Sequence, residues 1–126
     1  MVGKTLAQKL FIKENYKIML LNHPDGYLTR LGELPQNVSV LSGTRPADLV
    51  QLFVTKRNEL EEKLAGLKSL LNPKGLLWVT YPKGTSRVKT DLNRDIIREY
   101  VESNGFKAVA LVSVDDTWSA MRLKVV

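Results

Sequence analysis

The chain has 126 residues, 44% apolar and 25% charged, with 19 basic against 13 acidic side chains for a formal charge of +6, one histidine and no cysteine. Without cysteine there are no disulfides, no thiolate catalysis and no thiolate metal site, and a single histidine excludes most zinc sites. The length suits one domain, residues 1–126, with a real core, and the positive balance favours a weak attraction to phosphates or nucleic acid.

No apolar run approaches the about 20 residues that span a bilayer. The lysines of MVGKTLAQKLFIKENYK leave no apolar signal core, and Gly3 is not where myristoylation requires it. A cytoplasmic protein with no membrane partner is expected.

Thr5 and Gln8 have the spacing of a capping box, with Leu6, Ala7, Leu10 and Phe11 as an apolar face, which predicts a helix over residues 5–13. Tyr16–Leu21 is the first strand, followed by the turn formers Asn22-His23-Pro24-Asp25-Gly26. A short helix runs from Tyr27 to Leu34, where Pro35 breaks it. Val38–Ser42 is a second, short strand, and Gly43 to Pro46 is a loop.

From Ala47 to Pro82 the chain reads as strand, helix, strand. The run Ala47–Val54 is almost continuously apolar, as in a strand buried on both faces. Leu60, Leu64, Leu67 and Leu71 then line one helical face, and Asn72, Pro73 and Gly75 stop that helix. Gly75–Tyr81 is the next buried strand, parallel to the previous one through a right-handed crossover.

Pro82–Thr90 shows no periodicity and reads as a long loop. Thr90 or Asp91 caps the following helix, whose buried stripe is Leu92, Ile96, Ile97, Tyr100 and Val101, and Asn104-Gly105 closes it. Phe106–Val114 and Trp118–Val126 are strands separated only by Asp115, Asp116 and Thr117, hence an antiparallel hairpin. The alternation predicts a three-layer, Rossmann-like α/β sheet of about six strands, mostly parallel, with an antiparallel hairpin strand at the C-terminus.

From Ala47 onwards the chain resembles the second half of a class I S-adenosylmethionine-dependent methyltransferase. The residues that carry the likeness are Asp48-Leu49-Val50, and Leu71 to Val79 (LNPKGLLWV) for the family's "LKPGGxLxV" segment. The family's closing hairpin inserts its last strand antiparallel into the sheet. The resemblance therefore implies the order 2-1-3-4-6-5 with only the sixth strand antiparallel. Arg122 and Lys124 are awkward there, because they share a face with Trp118 and Ala120.

The first third departs from the family. Where the family has a Gly-rich turn for the cofactor, this chain has one glycine and Pro24. Where it has a ribose-binding carboxylate after its second strand, this chain reads Leu41-Ser42-Gly43, and one strand–helix unit is missing. Binding of S-adenosylmethionine is therefore expected to be absent. The chain is also similar, almost end to end, to a small bacterial family of unknown function through GKTLAQKL, LWVTYPK, VKTDLNRD and VDDTWSA, a likeness that implies no activity.

In a doubly wound sheet, ligands sit at the carboxyl ends of the strands. His23, Lys83, Lys89, Thr90, Asp91, Asp115, Asp116 and Trp118 fall at that edge and form the candidate site. Lys83 and Lys89 would attract a small anion such as a phosphate, Asp115 or Asp116 would order a lysine, and Trp118 would offer an apolar wall. Each also has a plainer reading as turn, cap, core aromatic or solvated charge. Neither a nucleophile beside a base nor a catalytic carboxylate pair is evident.

The favoured expectation is a non-catalytic domain that binds a small anion or a protein partner. A true methyltransferase with an atypical cofactor loop is the alternative. A nucleic-acid-binding module is the third, since residues 83–98 carry five basic and two acidic side chains but no aromatic to stack on bases.

Overall fold

The computed structural model describes residues 5–41 and 46–125. The end of the expected second strand at Ser42, and residues 43–45 of the loop after it, lie outside these. The strands are β1 (Lys17–Leu21), β2 (Ser39–Leu41), β3 (Ala47–Phe53), β4 (Leu71–Pro82), β5 (Phe106–Ser113) and β6 (Trp118–Val125). The helices are α1 (Leu6–Lys9), α2 (Tyr27–Leu31), α3 (Arg57–Leu67) and α4 (Arg94–Ser103), with a 3-10 turn over Lys68–Leu70.

The six strands form one sheet in the order β2-β1-β3-β4-β6-β5, as the resemblance implies. β1 pairs in parallel with β2 and β3, and β3 with β4. β6 alone runs the other way, antiparallel to both β4 and β5.

Both faces of the sheet are covered. Leu60, Leu64 and Leu67 of α3 and Ile97 and Val101 of α4 pack on Val50, Leu52, Leu77 and Val79. On the other face Ala7, Leu10, Tyr27 and Leu31 pack on Ile18, Leu49, Phe53 and Trp78. This double covering is why β3 reads as an almost continuous apolar run. Each buried leucine of α3 contributes roughly 1.5–3 kcal/mol. Packing of that one face, more than helix propensity, holds α3 in place.

The helices are shorter than the periodicity suggests: α3 ends at Leu67, so that Leu71 belongs to β4, and α4 starts at Arg94, so that Leu92 precedes it. α1 has the expected capping box, with Thr5 Oγ1 accepting from the Gln8 N–H and Gln8 Oε1 accepting from the Thr5 N–H. It nonetheless stops at Lys9, because Phe11 enters the left-handed region at φ 62°. The N–H groups of Phe11 and Ile12 then turn back to the carbonyls of Gln8 and Ala7. α2 stops at Leu31, where Gly32 has φ 74°, before Pro35 is reached.

β4 is longer than expected and begins at Leu71. Ala47 pairs with Leu71 and Leu49 with Leu76, so residues 72–75 project from the ladder. Asn72 Nδ2 and the Lys17 N–H both donate to the Asp48 carboxylate, which fastens this projection to the amino end of the sheet.

Candidate functional site at the carboxyl rim

β1 lies between β2 and β3, so the strand order reverses beside it, and the carboxyl ends of these strands form the crevice in which ligands bind on such sheets. After β1 the chain turns through left-handed positions at Asn22 (φ 60°) and Gly26 (φ 81°). Asn22 Nδ2 donates to the Phe53 carbonyl at the end of β3 (2.9 Å) and to Glu59 Oε2 in the first turn of α3 (3.2 Å). One side chain thus joins β1, β3 and α3 at the reversal point.

Glu59 is the best-supported group of the rim. Its Oε1 accepts from the Thr55 N–H (2.8 Å), the Thr55 hydroxyl (2.9 Å) and the Lys56 N–H (3.0 Å). Burial works against its charge, but these bonds and the Asn22 amide outweigh it and hold the carboxyl below the usual glutamate range. Glu59 is therefore ionised at neutral pH. Beside it runs a groove of about 560 Å3, bordered by Leu21, Asn22, Glu59, Glu62, Lys63 and Gly66.

The residues anticipated as a site are spread along this rim and are largely engaged. Lys83 Nζ donates to Ser113 Oγ (2.6 Å). Asp115 pairs with Arg30, not with a lysine, and also accepts from the N–H groups of Thr117 and Trp118, closing the β5–β6 turn. Trp118 is only 9% exposed and meets Phe53 edge-on at 5.2 Å, so it is a core aromatic and not an open wall. Lys89 and Asp116 are exposed, and His23 is exposed beside Tyr27.

The expected helix cap needs correction. Asn93 caps α4 by accepting from the Ile96 N–H. Thr90 Oγ1 takes the Leu92 N–H, and Asp91 Oδ1 takes the Arg57 N–H at the start of α3 (2.7 Å). An acid in the first turn of a helix is favourable wherever it comes from, and Asp91 reaches its helix through space. Glu59 went unnoticed in the sequence, although a glutamate three residues after Lys56, at the head of a helix, is the available signal.

Sheet order, coverage of both faces and the inserted antiparallel strand define a Rossmann-like fold of the methyltransferase type. Solved structures share it. A SAM-dependent methyltransferase from Aquifex aeolicus superposes with a TM-score of 0.68 at 19% identity, over 96% of this chain and 88% of that one. DhpI in its SAH complex gives 0.65 at 14% identity, over 96% and 82%. DhpI in its SAM-HEP complex gives 0.65 at 13%, over 94% and 84%. No protein-family model and no curated protein matches the chain, so the likeness to a small bacterial family gains no further support.

The expectation that S-adenosylmethionine is not bound is overturned by these structures, in which the same fold occurs in SAM and SAH complexes. Missing glycines do not by themselves exclude a cofactor turn. A tight turn needs residues that tolerate the left-handed region, and asparagine is one of them. Asn22 and Gly26 supply those positions here.

Proposed function

We propose that the chain is an S-adenosylmethionine-dependent methyltransferase whose cofactor turn is built on Asn22 and Gly26 and whose rim carboxylate comes from α3. The observation that carries this reading is an ionised Glu59 at the strand-order reversal, beside a groove of about 560 Å3. That volume is within the roughly 300–1,000 Å3 of small-molecule sites. The donor chemistry fits as well. Among the described residues Glu59 Oε2 accepts one hydrogen bond, from Asn22, and it has capacity to accept from ribose hydroxyls. Lys63, on the same groove, suits the carboxylate of the amino-acid part.

Once bound, the cofactor supplies a methyl group activated by a sulfonium centre. The protein's part is to bind and orient it. The Asn22 bonds fix the turn against β3 and α3, while Asp91 and Glu59 together hold the start of α3. The reading in which Lys83 and Lys89 hold a small anion in a non-catalytic domain has less support, since Lys83 already donates to Ser113.

Calorimetric titration with S-adenosylmethionine and with S-adenosylhomocysteine tests the proposal. Wild type is expected to bind both. Glu59→Gln should lose a charge-assisted contact and bind roughly ten- to a hundredfold more weakly. An absence of binding heat from wild type at millimolar ligand would end the methyltransferase reading.

A further inference from the structure

The opposite end of the sheet carries a group of cations, and the Asp48 carboxylate at that end is engaged by the Lys17 N–H and Asn72 Nδ2. A groove of about 640 Å3 lies there between the start of β4 and the end of β6, and its lining includes Lys68, Lys74, Arg122 and Lys124. Among the described residues the ion pairs are Arg30–Asp115, Arg57–Glu61, Arg94–Asp95 and Arg98–Glu102, and none involves these four cations. Lys124 also stands directly opposite Lys107 in the β5–β6 ladder. Like charges in that relation destabilise a strand pair by themselves.

Neighbouring strands carry them. Lys74 belongs to β4, Arg122 and Lys124 to β6 and Lys107 to β5, which are three neighbouring strands. Three strands span about 10 Å centre to centre. A row of that length reaches more than one phosphate of a nucleic-acid strand, which a single small anion would not need. An aromatic stands beside it. Arg122 lies over the ring of Phe11, 5.4 Å from its centroid, and Phe11 is 42% exposed.

We propose that this groove binds the phosphodiester backbone of a single-stranded nucleic acid, with the Arg122–Phe11 pair as the platform for a base. The segment 83–98, where sequence alone concentrates cations, is less available. Arg94 and Arg98 are paired with Asp95 and Glu102, and Lys83 with Ser113. The amino-end groove is independent of the cofactor reading, since it lies at the other end of the strands from Glu59.

The test is fluorescence anisotropy of the whole protein with a labelled 20-nucleotide mixed-sequence RNA across a salt series. Each phosphate contact contributes about −0.7 to the slope of log affinity against log salt. A Lys74→Gln, Lys124→Gln double variant should flatten that slope by about 1.4 and weaken binding at least tenfold at about 50 mM salt. Phe11→Gly should weaken binding while keeping the fold, because glycine is the favoured residue at a left-handed helix end. Glu59→Gln is expected to leave RNA binding unchanged, which separates a failure here from a failure of the methyltransferase reading. The proposal is overturned if wild type does not bind the RNA or if the double variant keeps the wild-type slope. Displacement of the RNA by polyglutamate as readily as by unlabelled RNA overturns it too, and points to an acidic protein.

Discussion

Gln51 interrupts the apolar run of β3 and is fully buried. Its Oε1 accepts from the Tyr27 hydroxyl (2.8 Å) and its Nε2 donates to Thr80 Oγ1 (2.9 Å), so α2, β3 and β4 are tied by one chain of bonds. Tyr27→Phe would leave the Gln51 carbonyl buried without a donor. We expect a loss of about 1–3 kcal/mol, read from urea denaturation. The same site sets an alkaline limit. Burial pushes the Tyr27 hydroxyl well above the usual tyrosine range and the Asp115 charge adds to this, while the Gln51 bond opposes it. Burial also raises Tyr81, with Arg94 opposing and Asp95 adding. A folded pKa above the unfolded one means that the stabilisation is complete below about pH 10 and is lost as the pH climbs beyond it. Tyr27→Phe should flatten that decline, and an unchanged slope between about pH 9.5 and 11 would show that Tyr27 does not set it.

Among the elements, the projection in β4 is the most constrained. Lys74 has φ 66°, and a Cβ on Gly75 would come within 2.8 Å of the Asn72 carbonyl oxygen, a backbone atom with nowhere to move. Gly75→Ala should destabilise the fold by about 1–3 kcal/mol, measured as a lower urea midpoint with the slope unchanged. Wild-type stability in that variant would mean that the projection adjusts freely. The elements also show what spacing conveys. Capping by Thr5 and Gln8 is local, and it is readable at a separation of three residues. Asp91 on Arg57 and Asn22 on Glu59 are contacts across the sheet rim, and no local pattern announces them.

For the molecule as a whole, the hairpin was readable because the short Asp115-Asp116-Thr117 link permits only an antiparallel return, whereas the insertion of its last strand beside β4 was implied by the methyltransferase resemblance. The basic groove was hidden because Lys68, Lys74, Arg122 and Lys124 are scattered along the chain until β4 pairs with β6, with Trp78 opposite Arg122. Trp118 misled because a tryptophan at a strand's head reads equally as wall or as core. Such a charge distribution makes stability depend on salt. Raising salt from about 0.01 to 0.15 M shortens the screening length from about 30 to about 8 Å. With a formal charge of +6, repulsion should ease and the melting temperature should rise. A fall in melting temperature over that range would mean that the surface ion pairs, not the like charges, dominate.

The position of β6 between β4 and β5 has a consequence for biosynthesis. A nascent chain emerges from its N-terminus, so β4 is made long before the strand that will cover its second edge. That edge carries Leu77, Trp78 and Val79 and has no partner until Trp118 and the residues after it have been translated. At 5–20 residues per second the delay is roughly two to seven seconds. Once it has emerged, and until β6 joins it, this apolar edge is open to pairing with a neighbouring chain.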